Sequence, residues 1–158
     1  MINLDEALKK HNLIMPNPPV KAGIYNPAKT FGGSFCCLSG CLPSFNGEIK
    51  WKGKLGAEIS LEQGQEAAKL CALNLLANIQ SIFGSLEKVK CIAKMVVFVA
   101  CTDNFYDHPK VANGASELLV DIFGGETGLC ARSAVGVSSL PANVPVEIEL
   151  IIELNELG

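Results

Sequence analysis

From Val146 to Leu154 the chain alternates without a break, with Val146, Ile148, Leu150, Ile152 and Leu154 on one side and Glu147, Glu149, Ile151 and Glu153 on the other. Successive side chains of a strand point to opposite faces, so this run is satisfied only in a sheet with one face covered and the other partly wet. A second long run, residues 89–101, puts Val89, Cys91, Ala93, Met95, Val97, Val99 and Cys101 on alternate positions, while the other face starts with Lys90 and Lys94 and turns apolar at Val96 and Phe98. That is a longer strand, more deeply buried towards its end. Such a sheet needs a cover.

Two segments supply it. Ser60 with Gln63 forms a capping box ahead of Leu61, Gly64, Ala68, Cys71, Leu75 and Ile79, an apolar face at spacings of three and four that Gly84 stops. Pro109 opens a second helix through Val111, Ala115, Leu118, Leu119 and Ile122, ended by Gly124 and Gly125. A small-residue strand follows at 131–137. Earlier, the apolar run 34–39 and the alternating segment 48–51 after Asn46-Gly47, a hairpin turn signal, predict two strands joined by a loop. Asn3 is placed to cap a short helix through Leu4 and Leu8 that ends before Pro16, Pro18 and Pro19. The order β-β-α-β-α-β-β predicts an α+β domain, a mixed sheet with two main helices on one face plus a short amino-terminal helix. With 158 residues, 49% of them hydrophobic, the chain suits one core. We divide it into an amino-terminal arm, 1–22, and a single domain, 23–158.

Several function classes are disfavoured at this stage. The apolar runs are far shorter than the roughly 20 residues that span a bilayer, so no membrane partner is expected. The opening residues mix Asp5, Glu6, Lys9 and Lys10 with leucines, unlike a secretory signal, and the seven cysteines are an odd number sitting mostly in core patterns. Both suit a cytoplasmic protein with reduced thiols. A net charge of −3 without a basic cluster argues against nucleic acid as a partner. The mean hydropathy of +0.30 is high for a monomer and predicts a homo-oligomer.

Arg132 stands alone among Ala131, Ser133, Ala134 and Gly136. Its planar fork matches a carboxylate in two parallel hydrogen bonds, which would make it a ligand clamp; the alternative is an ion pair with Glu147, Glu149 or Glu153 on a neighbouring strand. A partly buried carboxylate among those three would have its pKa raised and could relay protons near neutrality, although such a row is also the ordinary wet side of a strand. Cys37 and Cys41 have no second pair, and His11 and His108 lack metal-ligand spacing, so no metal is expected. A Cys/His nucleophile involving His108 competes with reading that residue as a helix start. Gly32-Gly33 and Gly124-Gly125 lack the spacing of a nucleotide loop. Tyr25 and Asn113 could each offer a ligand a hydrogen bond, or be surface and capping residues.

The segment Ala131-Arg132-Ser133-Ala134-Val135-Gly136-Val137, with Leu140-Pro141 and Val146-Glu147-Ile148-Glu149 after it, resembles the carboxy-terminal signature of the Rid (YjgF) family. Ser39-Gly40 ahead of Leu42-Pro43 is similar to that family's early Ser-Gly motif, and Asn113 lies where it carries an asparagine; the match runs from about Gly23 to Glu153. The resemblance implies a chorismate-mutase-like fold, a homotrimer with intersubunit sites, and hydrolytic deamination of reactive 2-enamine and 2-imine carboxylates of the 2-aminoacrylate type. The products are 2-oxo acids and ammonia, with no cofactor. It assigns Arg132 to the small-molecule substrate's carboxylate and Glu147 to the attacking water. Ser39 and Gly40, Ala134 by its backbone, Tyr25 and Asn113 line the site. Many members carry cysteine where this chain has Ala134, so any role that needs that thiol is absent. The alternative is a non-catalytic trimer that binds or senses a small carboxylate metabolite; an older endoribonuclease label for the family conflicts with the acidic balance.

Overall fold

The computed structural model describes residues 2–155, so the first residue of the arm and the last three of the domain lie outside the described residues. Its main sheet has five strands: β1 (Ala28–Phe31), β2 (Phe35–Cys41), β5 (Val89–Ala100), β6 (Ala131–Val137) and β7 (Val146–Leu154). They lie in the order β1-β2-β7-β5-β6, with β5 and β6 parallel and every other pair antiparallel. β3 (Ser44–Phe45) and β4 (Glu48–Ile49) form a separate hairpin. Its turn residues Asn46 and Gly47 both have positive φ, 51° and 88°, the conformation that this dipeptide favours. The expected strand at 48–51 is therefore only a short ladder outside the main sheet, because its partner is the local Ser44–Phe45 segment. The edge strand β1 escapes sequence reading.

α2 (Leu61–Phe83) and α3 (His108–Phe123) pack side by side on one face of the sheet. Ser60 accepts from the Gln63 N–H at 3.2 Å and the Gln63 side chain accepts from the Ser60 N–H at 2.9 Å, so the capping box is complete. Gly84 ends the helix in the left-handed conformation that favours glycine. The helices approach closely at Gly114, where any side-chain carbon would run into the backbone of Gln65, 2.9 Å from its Cα. Leu73, Leu76, Leu118, Leu119 and Ile122 meet Met95, Ile148, Leu150 and Ile152 in one fully buried core. None of the helices among the described residues is long and apolar enough to cross a membrane.

The amino-terminal helix α1 (Leu4–Lys10) lies against α3. Lys10 and His11 both reach Asp121, at 2.9 and 2.6 Å, and Ala7 is buried. Asn3 occupies the capping position, but its amide donates to Glu6 at 2.7 Å instead of accepting from the helix backbone. A short turn, α4 (Gly125–Gly128), joins α3 to β6.

Candidate functional site

The alternation of β7 sorts its carboxylates onto the face away from the helices, and their surroundings then separate them. Glu153 is ion-paired to Lys90 at 2.8 Å, which holds its carboxyl below the ordinary range. Glu147 is half-buried and has no hydrogen-bond or ion-pair partner among the described residues. Its burial, and secondarily the charge of Glu149, raise its pKa above the ordinary carboxylate value. A carboxyl so placed holds its proton to higher pH than an ordinary carboxylate.

Opposite Glu147 the β2–β7 ladder is irregular. Leu38 pairs with Leu150 and Cys41 with Ile148, so three steps along β2 match two along β7, and the extra residue makes a bulge at Ser39–Gly40. The bulge brings Gly40 onto the Glu147 carboxylate so closely that a β-carbon at position 40 would collide with its Oε1 and stand 3.1 Å from its Cγ. Ser39 is committed locally. Its hydroxyl donates to the Asn26 carbonyl at 2.6 Å and its N–H to that of Pro27 at 2.9 Å, which ties down the loop that carries Tyr25. Tyr25, Ser39, Gly40, Glu147 and Glu149 line one cleft of about 440 Å³.

The floor of this cleft is fixed from below. Asn74, buried on α2, donates to the carbonyls of Leu42 and Ser44 at 2.9 and 2.7 Å, and Asn78 reaches the Cys41 sulfur at 3.5 Å. Burial pushes the Cys41 thiol up to about 12 and raises Cys71 well above its ordinary value, so both are neutral packing groups. Cys37, by contrast, is exposed, which separates it from Cys41 despite their spacing in sequence.

Arg132 lies elsewhere. It pairs with Met95, which faces the helices, and its guanidinium reaches α3: Nη1 donates to Asn113 Oδ1 and Ser116 Oγ, both at 2.9 Å, and Nη2 to the Pro109 carbonyl at 3.3 Å. The ion pair weighed from sequence does not form, because β5 lies between β6 and β7 and the glutamates occupy the other face. All three acceptors are neutral and no carboxylate ion-pairs with it among the described residues, so the charge of Arg132 stays unbalanced there while its orientation is fixed. Of the guanidinium's five N–H groups, Nε–H and one on Nη2 remain, enough for one carboxylate. Ala134 follows two residues on along the same face.

The structure thus brings Tyr25, Ser39, Gly40 and Glu147 together, and separately Asn113, Arg132 and Ala134, on opposite sides of one sheet. Ser116 and the Pro109 carbonyl are additions. Ser116 is three residues from Asn113 and so on the same helix face, a spacing that makes it legible once Arg132 is placed beside α3.

The profile of the family described as "YjgF/chorismate mutase-like, putative endoribonuclease" matches residues 6–154. The chain belongs to this YjgF family. A relative in sequence is the Trypanosoma cruzi protein TCP17, 42% identical over 118 residues, 75% of this chain and 74% of the relative. Among solved structures, the Agrobacterium tumefaciens protein Atu1372 is 36% identical with a TM-score of 0.85, covering 96% of this chain and 91% of that one. A Shewanella oneidensis protein bearing the same endoribonuclease description is 29% identical with a TM-score of 0.88, covering 95% and 98%. The mixed sheet and its helical cover are those of the YjgF fold.

Proposed function

We propose that the chain hydrolyses small 2-imine and 2-enamine carboxylates to 2-oxo acids and ammonia in a site shared between subunits of a homotrimer. The observation that carries this reading is the isolated charge of Arg132, oriented by Asn113, Ser116 and Pro109 but neutralised by none of them. A cation held this way is prepared for an anionic ligand. Glu147 supplies the complementary group, an unpartnered carboxyl whose raised pKa suits it to both taking and giving a proton.

The chemistry closes with these parts. Arg132 holds the substrate carboxylate and aims the imine carbon at the cleft. Glu147 takes a proton from water as its oxygen bonds to that carbon and passes it to nitrogen; it then carries the remaining hydroxyl proton to the amine as the C–N bond breaks, so that ammonia leaves and the carbonyl remains. Gly40 leaves room for the Glu147 carboxylate, and Tyr25 covers the opening. Because the two halves occupy opposite faces of one sheet, a complete site needs a second copy. Phe31 and Phe35, stacked at 5.8 Å, and Val135 are exposed on the face that carries Glu147, which favours association through that face.

The test is 2-oxo acid release from 2-iminopropionate generated in place by an amino-acid oxidase, with semicarbazide competing, for the native chain and Arg132→Ala. Acceleration that vanishes in the variant supports the reading. Its absence across several amino-acid imines would favour the binding trimer, which the same unbalanced guanidinium also fits. Cleavage of RNA by the native chain that Arg132→Ala leaves intact would instead support the endoribonuclease description.

A further inference from the structure

A second cavity opens where β5 and β6 end and α3 begins. It encloses about 310 Å³, at the lower end of small-ligand pockets of roughly 300–1,000 Å³. None of its lining residues lines the Glu147 cleft or bonds Arg132. At its wall the Cys101 sulfur stands 3.3 Å from His108 Nε2. The two come from different elements. Cys101 follows the end of β5, where its N–H donates to the Val137 carbonyl at 3.2 Å, and His108 is the first residue of α3.

Two features shape this pair for chemistry. Gly136 faces it, and a β-carbon there would lie 2.6 Å from His108 Nε2 and 2.9 Å from the Cys101 sulfur, so only glycine leaves both atoms open to the cavity. Phe105 meets the imidazole edge to face at 5.6 Å and fixes its plane. Burial, with a smaller contribution from Asp103, raises the thiol pKa, while Lys54 acts in the opposite sense. Cys101 therefore rests as a thiol, with an imidazole nitrogen within reach to accept its proton.

We infer that Cys101 and His108 form a covalent capture site for small, uncharged, electron-poor alkenes. No lysine or arginine lines the cavity, Asp103 disfavours anions, and Phe105 and Tyr106 offer flat apolar walls. As Sγ bonds to the terminal alkene carbon, its proton passes to His108 Nε2 and the π pair moves to the carbon beside the carbonyl. That carbon then takes the proton back from the imidazolium. The product is a thioether; nothing leaves and nothing is oxidised.

The probe is acrylamide, with adducts assigned to individual cysteines by peptide mass spectrometry from pH 6 to about 9 and Cys101→Ser as the assignment control. With His108 as base, the Cys101 rate should rise and then level off with pH instead of tracking hydroxide. His108→Gln should lower it at least about tenfold at pH 7 and restore a rise proportional to hydroxide. The exposed Cys37 serves as the internal reference and should not respond. A native Cys101 profile proportional to hydroxide throughout would overturn the proposal even if His108→Gln fails to fold. Labelling confined to Cys37 would overturn it equally.

Discussion

Arg132 shows how a charge can be fixed without being neutralised. Asn113, Ser116 and Pro109 accept from its fork, and a lysine offers no matching planar set of donors. Arg132→Lys should therefore lower kcat/KM for imine hydrolysis by at least about a hundredfold despite conserving charge. Glu147 makes a prediction about stability. Its folded pKa lies above the unfolded one, so the native state binds more protons between the two values, and stability falls as pH rises through that window. Glu147→Gln removes this loss. Melting temperatures of the native chain and the variant, measured below and above the carboxylate range, should diverge in favour of the variant at the higher pH. Arg132 stands out in the sequence as a lone cation in a small-residue strand, whereas Glu147 is one of three carboxylates on the wet face of an alternating strand and is singled out only by the family resemblance. Their separation is not legible there. Facing depends on register across β5, which a linear pattern does not carry.

At the scale of elements, the long periodic segments reveal themselves and the irregular ones do not. β6, β7, α2 and α3 repeat their spacing over enough residues to be read directly, and the capping box and Gly84 mark the ends of α2. β5 is legible as a strand, but its expected alternation holds only from Met95 on, because register shifts at 89–91 and 92–94 turn Ile92 into the core in place of Cys91 and Ala93. β1 has only four residues, three of them exposed, so it carries no alternation. The bulge is a property of the β2–β7 pairing and leaves no local mark beyond Ser39-Gly40. Two glycines test these contacts in opposite ways. Gly114→Ala pushes backbone against backbone at the crossing of α2 and α3, and should cost about 1–3 kcal/mol by denaturant titration. Gly40→Ala presses on a side chain with room to swing away. Its melting temperature should stay near that of the native chain while deamination falls, because the Glu147 carboxylate is displaced.

For the whole molecule, the decisive fact is that Arg132 and Glu147 occupy opposite faces of one sheet. Within the proposed trimer each site takes one half from each of two chains, so two inactive variants can repair each other. Refolding Arg132→Ala with Glu147→Gln in equal amounts should give a random population of trimers in which, over all of them, about one site in four combines two intact halves. Activity should recover to about a quarter of the native value, and mixing without subunit exchange should recover none. The same geometry carries a kinetic consequence. Under that proposal a lone chain, however well folded, owns two fragments of a site that cannot meet, so turnover per chain would be set by how many chains have found one another. On serial dilution the rate should fall more steeply than the first power of concentration while circular dichroism stays unchanged, which makes the abundance of the protein itself a control on its output.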